Sequence, residues 1–238
     1  MLNKMTRISA LGALLMLAVG AQAGTINKSI KIADGETAKG ASSVNGSVTV
    51  GADATVTGDV ETVNGSIRIA SSAKVEDVST VNGSVKIGDG IEARDLSTVN
   101  GSIRVGANGN VDGGIEAVNG RITLGDKTSV RRGIENVNGE ISLDGASTDG
   151  DISTVNGDIT VDNGGRVGGD IIIEKPGGWS WNKKKRKPRI TIGRDAVVEG
   201  VINTEREIEL YIHESASVGG VEGKASMDDA VRFSGDSP

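Results

Sequence analysis

The chain has 238 residues, with 36 glycines, 2 Trp, 1 Tyr, 1 Phe, 1 His, no cysteine and a net charge of −6. Without cysteine, disulfides, thiolate metal sites and cysteine nucleophiles are excluded, and a lone histidine excludes a multi-histidine metal site. With so few rings, the interior of the fold must be built from Val, Ile, Leu and Ala.

Residues 1–23 have the three parts of a secretory signal. Lys4 and Arg7 form a basic start, an apolar run follows, and a small-x-small cleavage site ends at Ala23. The run is short for a bilayer span, so a cleaved signal is favoured over a membrane anchor or a buried helix. We therefore expect export to the periplasm or cell surface of a bacterium. The mature chain would begin at Gly24, with a net charge of −8 after the loss of two basic residues.

The tripeptide Val-Asn-Gly occurs seven times, at intervals of 18 or 19 residues. Between these tripeptides apolar and polar residues alternate over short runs, which is the periodicity of β-strands. Strands this short are not stable alone, but stacked copies pair with the coils above and below and share a core. The sequence therefore predicts an all-β, single-stranded parallel β-helix (β-solenoid), with right-handed winding favoured.

The repeat register predicts about ten coils of 18–19 residues over residues 24–223. At about 4.8 Å per coil, the rod would be about 45–50 Å long. First strands are expected near residues 30, 48, 67, 85, 103, 122, 141, 159, 190 and 210. Within a strand, Ile103 is expected to point inward and Arg104 outward. Residues 224–238 are expected to form a C-terminal cap or tail, with Phe233 folded over the last coil.

Each Val-Asn-Gly unit is predicted to turn a corner of the solenoid. Glycine is expected to supply a positive φ there. Asparagine is expected to bond through its amide to the copy one coil away, buried in the turn. The structural ladder would comprise Asn45, Asn64, Asn82, Asn100, Asn119, Asn138 and Asn156. A row of amides that serves as a ligand surface is the alternative.

The rhythm breaks once, at a basic loop of residues 174–189 that is inserted in the solenoid. This loop contains seven basic residues, one acidic residue and both tryptophans. Tryptophan favours membrane–water interfaces, and polybasic runs attract anionic phosphates. The candidate anionic-surface contacts are Trp179, Trp181, Lys183, Lys184, Lys185, Arg186, Lys187 and Arg189. Anionic lipid, lipopolysaccharide or an acidic glycan is the expected partner, and no nucleic acid is expected. A flexible, solvated hairpin is the alternative.

Two weaker charge patterns repeat at outward strand positions. Arg68, Lys86 and Arg104 share one position in three successive coils. The acidic counterparts are Asp59, Asp77 and Asp95, with Asp151 and Asp170 further along. Stacked like charges repel, so the basic stripe would suit an anionic polymer and the acidic stripe cations. A solvated face on which the stripes pair with each other is the alternative.

No catalytic motif accompanies the repeat. The sequence lacks Gly-x-Ser-x-Gly, Walker and zinc signatures, and no cofactor is expected. His213 falls at a strand corner, where a satisfied turn residue is the favoured interpretation. Asp151 and Asp170 would pair across coils as in pectin-degrading β-helices, but the long coils and aromatics of those enzymes are missing. We expect a protein that is not an enzyme. A polysaccharide-binding or polysaccharide-active β-helix is an alternative.

The repeated Thr-Val-Asn-Gly-Ser-Ile/Val and Val-Asn-Gly-Asp-Ile units resemble those of an adhesin family of bacterial exported β-solenoids, over about residues 42–173. That resemblance implies a non-catalytic cell-envelope protein with a structural or adhesin-like role. The last coils, such as the segment from Gly193 to Ile202, resemble the polymer-forming bactofilins, which are usually cytosolic. This second resemblance implies a self-assembling scaffold that stacks end to end. Neither family has a catalytic residue set that maps onto this chain.

Overall fold

The computed structural model describes residues 27–176 and 186–238, which form a parallel β-solenoid of about ten coils. The predicted fold class is confirmed. The only helix in the described ranges is a single 3-10 turn, Met227–Asp229. Over these same ranges, no helix has the length and apolar character needed to cross a membrane. The predicted signal, residues 1–23, lies outside the described residues.

Each coil carries three short strands, which stack into three faces of the rod. The first face is an 11-stranded parallel sheet. Its strands are Ile30–Ile32, Val48–Val50, Ile67–Ile69, Val85–Ile87, Ile103–Val105, Ile122–Leu124, Ile141–Asp144, Ile159–Asp162, Arg189–Ile192, Glu209–His213 and Val231–Phe233. The ten expected first strands are all present. The C-terminal tail adds the eleventh, Val231–Phe233, which pairs with Glu209–His213.

The second and third faces together form an 18-stranded sheet. The second face comprises Thr37–Ala38, Thr55–Val56, Lys74–Val75, Glu92–Ala93, Asn110–Val111, Ser129–Val130, Ser147–Thr148 and Arg166–Val167. The third face comprises Ala41–Ser43, Val60–Thr62, Val78–Asn82, Leu96–Asn100, Gly114–Asn119, Gly133–Asn138, Asp151–Thr154 and Ile171–Ile173. Two longer strands, Val197–Thr204 and Ser217–Gly223, continue both faces.

Strands pair in register from coil to coil, so equivalent residues stack along the rod. Ile103 pairs with Val85 on one side and Ile122 on the other, and all three are fully buried. Arg104, the next residue, is exposed. The expected alternation is therefore confirmed, and the core consists of stacked aliphatic side chains. Each fully buried residue of this size contributes roughly 1.5–3 kcal/mol to stability.

The glycine of the Val-Asn-Gly corner allows successive coils to approach closely. A Cβ added at Gly101 would lie 1.9 Å from the carbonyl oxygen of Gly83, and one at Gly120 would lie 1.7 Å from that of Gly101. The expectation that these glycines supply a positive φ is wrong, because only Gly139 of the seven has one. Positive φ occurs instead at the corner after the first-face strand, for example at Asn108 (φ 55°).

The threonine that precedes this tripeptide in several coils points into the core. Thr62 Oγ1 donates to the carbonyl oxygen of Gly46 at 2.7 Å, and Thr98 Oγ1 donates to that of Gly83 at 3.0 Å. Both threonines are buried. A buried hydroxyl without a partner costs about 1–3 kcal/mol, so the glycine carbonyl makes threonine tolerable at this core position. The threonine and the glycine of the Thr-Val-Asn-Gly motif thus both have a structural role at the corner.

Candidate binding surfaces

A hydrogen-bonded asparagine ladder follows one corner of the rod. At each step Nδ2 donates to Oδ1 of the asparagine one coil before, at 2.5–3.0 Å. Its members are Asn27, Asn45, Asn64, Asn82, Asn100, Asn119, Asn138 and Asn156. The side chains are exposed, so the expectation that they are buried in the turn is wrong. Sequence reasoning missed Asn27, which lacks the flanking Val and Gly but lies 18 residues before Asn45.

Arg206 ends this ladder. Its Nη1 donates to Oδ1 of Asn156 at 2.9 Å and to the carbonyl oxygen of Val155 at 3.1 Å. Its Nη2 donates to the carbonyl oxygen of Arg186 at 3.1 Å. Strand pairing places Arg206 at the asparagine position two coils beyond Asn156. The longer side chain therefore spans the position at which the basic loop leaves the rod. The threonine two residues earlier, Thr204, is the sequence signal that aligns Arg206 with the ladder.

The basic loop is described only at its two ends. Of its eight candidate contact residues, Trp179, Trp181, Lys183, Lys184 and Lys185 lie outside the described residues. Arg186 donates to both carboxylate oxygens of Asp158, at 3.1 and 2.6 Å. Lys187 Nζ lies 3.0 Å from the carboxylate of Glu207, and this hydrogen bond lowers the pKa of Glu207. Arg186 and Lys187 thus have carboxylate partners on the rod.

Arg189 is also paired. Its guanidinium lies 3.3 Å from the carboxylate of Glu209 and 5.3 Å from the ring centroid of Tyr211, a cation–π arrangement. Its backbone N–H donates to Asp158 at 2.8 Å. The three described candidate contact residues therefore attach the returning end of the loop to the solenoid. Their role as anionic-surface contacts stays a prediction, and such a contact would compete with these carboxylates.

The outward residues of the first face form a row that contains no carboxylate. In coil order the row is Lys31, Thr49, Arg68, Lys86, Arg104, Thr123, Ser142, Thr160, Thr191 and Tyr211. Three cations, Arg68, Lys86 and Arg104, are consecutive and exposed. Among residues 27–176 and 186–238, none of these three has an ion-pair or hydrogen-bond partner. The predicted basic stripe is thus a stack of unpaired cations.

The outward row of the third face has the opposite charge. In coil order it is Ser42, Glu61, Ser79, Ser97, Glu116, Glu135, Ser153, Ile172, Asn203 and Glu222. This row contains four glutamates and no basic residue. Burial raises the pKa of Glu61, with Asp59 and Asp77 adding to the effect. The rod therefore separates positive and negative charge onto different faces.

Four of the five aspartates predicted as an acidic stripe, Asp77, Asp95, Asp151 and Asp170, bond neighbouring coils. Arg94 bonds Asp77 through both its Nε, at 2.6 Å, and its Nη2. Asp95 Oδ1 accepts the backbone N–H of Gly114 at 2.7 Å. Asp151 makes the same kind of bond to the backbone of the next coil. In the described part of the chain, no three acidic or histidine side chains cluster closely enough to hold a metal ion.

His213 lies at the C-terminal end of the rod and is buried. Its Nδ1 accepts the backbone N–H of Ser215 at 3.1 Å and lies 2.8 Å from the Ser215 hydroxyl. Phe233 of the tail packs edge-on against the imidazole, with ring centroids 5.1 Å apart. The Nε2 atom is buried and has no partner among the described residues. The ring is therefore satisfied on one side only, and it anchors the tail strand by packing.

We compared the chain with protein-family models, with curated proteins and with solved structures, and none of the three comparisons gave a match. The β-solenoid fold therefore rests on the structure. The adhesin and bactofilin resemblances rest on the repeat motifs of the sequence.

Proposed function

We propose that this protein is an exported, non-catalytic rod of the bacterial cell envelope, with a structural or adhesin-like role. The observation that carries the proposal is the unbroken coil stack, held by in-register strand pairing and by the asparagine ladder. Such a body is stiff and repeats the same surface chemistry along its length. The signal-like residues 1–23 and the resemblance of the Val-Asn-Gly units to exported adhesin solenoids support an envelope location.

In this proposal the basic loop makes the contact with an anionic surface. Because Arg186, Lys187 and Arg189 have carboxylate partners, the contact depends mainly on the two tryptophans and on residues 183–185. Anionic lipid, lipopolysaccharide or an acidic glycan is the proposed partner. The paired residues would then hold the returning end of the loop on the solenoid.

Fractionation of native cells tests the envelope proposal. The protein should be recovered from the periplasm or the outer surface. Protease added to intact cells separates these two locations, because only a surface-exposed rod is then cleaved. Recovery of the protein with cytosolic markers would contradict the proposal.

A self-assembling scaffold is the second candidate, and the ends of the rod favour it. The first coil, which begins with Ile30–Ile32, pairs only with the coil that follows it, among the described strands. At the other end, Ser217–Gly223 pairs only with the coil before it. Unpaired strand edges are templates for a further strand, including one from a second copy. The tail strand Val231–Phe233 covers the first face alone.

Sedimentation and electron microscopy of the full chain distinguish the two candidates. Filaments of the full-length protein would support the scaffold. Deletion of residues 224–238 removes the tail strand and is the informative variant. If the full chain is monomeric and the truncated chain oligomerises, the tail is a cap. Monomers in both cases, at high protein concentration, would rule out end-to-end stacking.

A further inference from the structure

The first face presents three consecutive cations on a flat parallel sheet. Arg68, Lys86 and Arg104 stack in register and will be called the basic row. Adjacent strands of a sheet are about 4.8 Å apart, so the three charges form a line along the rod axis with that spacing. Like charges at this separation repel, and directly opposed like charges destabilise a sheet. The protein as a whole is acidic and has unpaired carboxylates elsewhere. None of the described carboxylates pairs with these three cations.

The positions on both sides of the basic row are small and uncharged. On one side lie Ser66, Ser84 and Ser102, and on the other Ala70, Gly88 and Gly106. An open groove of about 440 Å³ lies beside the first two cations, with Arg68, Lys86, Ala70 and Gly88 among its lining residues. The small residues Ala70, Gly88 and Gly106 leave their side of the cations accessible along the rod axis.

The serine column adds hydrogen-bond donors to the charges. Ser66 Oγ accepts the backbone N–H of Ser84 at 3.4 Å, and Ser102 Oγ accepts that of Arg121 at 3.3 Å. The backbone bonds use the oxygen lone pairs, which leaves the hydroxyl hydrogens to donate to a ligand. At the corner beyond the glycines, Asp89 turns its carboxylate to the backbone N–H of Ala107 at 2.8 Å. The first face thus has a line of cations with the groove on one side and a line of serine hydroxyls on the other.

We propose that the basic row binds a linear acidic glycan laid along the rod axis. The coil spacing is comparable with the length of one sugar unit in an extended chain, so a glycan with a carboxylate on every sugar offers the row closely spaced anions. Carboxylate recognition by arginine and lysine is charge-assisted, and the serines are placed to bond sugar hydroxyls. This inference goes beyond the proposed function, since it requires neither export nor the basic loop.

Other polyanions and a second copy of the chain fit the row less well. Single-stranded nucleic acid is usually held by aromatic platforms, and Tyr211, the aromatic residue of this row, lies five coils beyond Arg104. A lipid surface would need exposed apolar side chains beside the charges, whereas these flanks are Ser, Ala and Gly. A second copy offers only two consecutive glutamates, Glu116 and Glu135, in the acidic row of the third face.

The test is binding of polygalacturonate, a linear glycan with one carboxylate per sugar. Wild type is compared with the triple variant Arg68→Ser/Lys86→Ser/Arg104→Ser. The matched control, Lys39→Ser/Lys74→Ser/Arg131→Ser, removes the same charge from exposed positions outside the first face. We expect the row variant to bind at least about tenfold more weakly, since each cation near a polyanion contributes to affinity. The control should bind like wild type, as should Arg68→Lys/Arg104→Lys, which keeps the charges.

The spacing argument predicts a preference among glycans. Hyaluronan, with a carboxylate on every second sugar, should bind more weakly than polygalacturonate, and neutral dextran should not bind. A loop variant with residues 183–187 changed to serine should keep polygalacturonate binding, which separates this site from the proposed loop contact. The proposal is overturned if wild type does not bind polygalacturonate or if the row variant binds equally well. It is also overturned if poly(dT) or phosphatidylglycerol vesicles bind the row more tightly than the glycan.

Discussion

The guanidinium of Arg206 donates to Oδ1 of Asn156 at 2.9 Å, and this bond closes the asparagine ladder where the basic loop leaves the rod. The same side chain bonds the carbonyl oxygen of Arg186, at the returning end of the loop. One residue therefore connects the last coil before the insertion, the insertion itself and the coil after it. The solenoid tolerates the interruption because its hydrogen bonding is continued across the gap.

Replacement of Arg206 by alanine tests this bridge. The variant loses three hydrogen bonds, and at a partly exposed site we expect the free energy of unfolding to fall by about 1–3 kcal/mol. Arg121→Ala is the control, because Arg121 makes one exposed ion pair with Glu140 and should cost less than about 0.5 kcal/mol. Denaturant unfolding measures the free energy of unfolding of both variants. Equal losses in the two variants would show that Arg206 is an ordinary surface residue.

The register of the core is tested by two neighbouring substitutions. Ile103→Asp places an unpaired charge between Val85 and Ile122 and should cost several kcal/mol or prevent folding. Arg104→Asp, one residue along and exposed, should change stability by about 0.5 kcal/mol or less. Thermal unfolding followed by circular dichroism gives the comparison. A similar change in Tm for both variants would mean that the strand register is wrong.

The stability of the rod is expected to depend on pH through Glu61. Burial, helped by Asp59 and Asp77, raises its pKa in the folded state above the usual value of 4.5. The folded state therefore holds this proton more tightly than the unfolded state, and stability falls as the pH rises through the interval above 4.5. Glu61→Gln removes the ionisation, so at pH 7 it should raise Tm by roughly 1–2 °C, a value reduced by solvent screening.

The control for the Glu61→Gln variant is the same Tm measurement at low pH. Near pH 4 the carboxyl is largely protonated in both states, so the Tm difference between Glu61→Gln and wild type should shrink towards zero. A second control, Glu92→Gln, removes an exposed carboxylate that is paired with Lys74 and should give no gain at pH 7. A constant Tm difference for Glu61→Gln from pH 4 to pH 7 would refute the assignment.

Much of the fold could be predicted from the sequence because the repeat is short and strict. The spacing of Val-Asn-Gly fixes the coil length, and alternation fixes which residues, such as Ile103, are buried. The role of the glycine in Val-Asn-Gly could not be predicted from the spacing or the alternation. Positive φ and close backbone approach both require glycine, and the structure distinguishes them: Gly101 has no positive φ, and a Cβ there would lie 1.9 Å from the carbonyl oxygen of Gly83.

The surfaces were less predictable than the core. The stripe of Arg68, Lys86 and Arg104 follows from register alone, but the lack of carboxylate partners depends on side-chain placement. The sequence also predicted Arg186 and Arg189 as anionic-surface contacts but not their ion pairs with Asp158 and Glu209. These partners lie 28 and 20 residues away in the chain, so local charge counting does not find them.

The basic loop predicts a salt-sensitive contact with anionic surfaces. Wild type should co-sediment with anionic liposomes and lipopolysaccharide at low salt, and not with neutral liposomes. Binding should weaken as the Debye length falls from about 10 Å at 0.1 M to about 3 Å at 1 M salt. Trp179→Ala/Trp181→Ala should remove the part that resists salt, because interfacial tryptophans contribute independently of charge.

The matched loop variant changes residues 183–187 to serine and should lose the salt-sensitive part. Two of these five residues, Arg186 and Lys187, are paired with carboxylates on the rod, so residues 183–185 changed alone should lose most of the effect. Equal binding by wild type and both variants would leave the loop as a solvated hairpin.

The measurement that tests the central claim most directly is the mass of the N-terminal peptide of the protein isolated from its native cells. An exported rod requires that the signal-like segment be removed after Ala23, so the account predicts a mature N-terminus at Gly24 in the envelope fraction. A chain that keeps Met1 and fractionates with the cytosol would contradict export and favour the cytosolic, polymer-forming alternative.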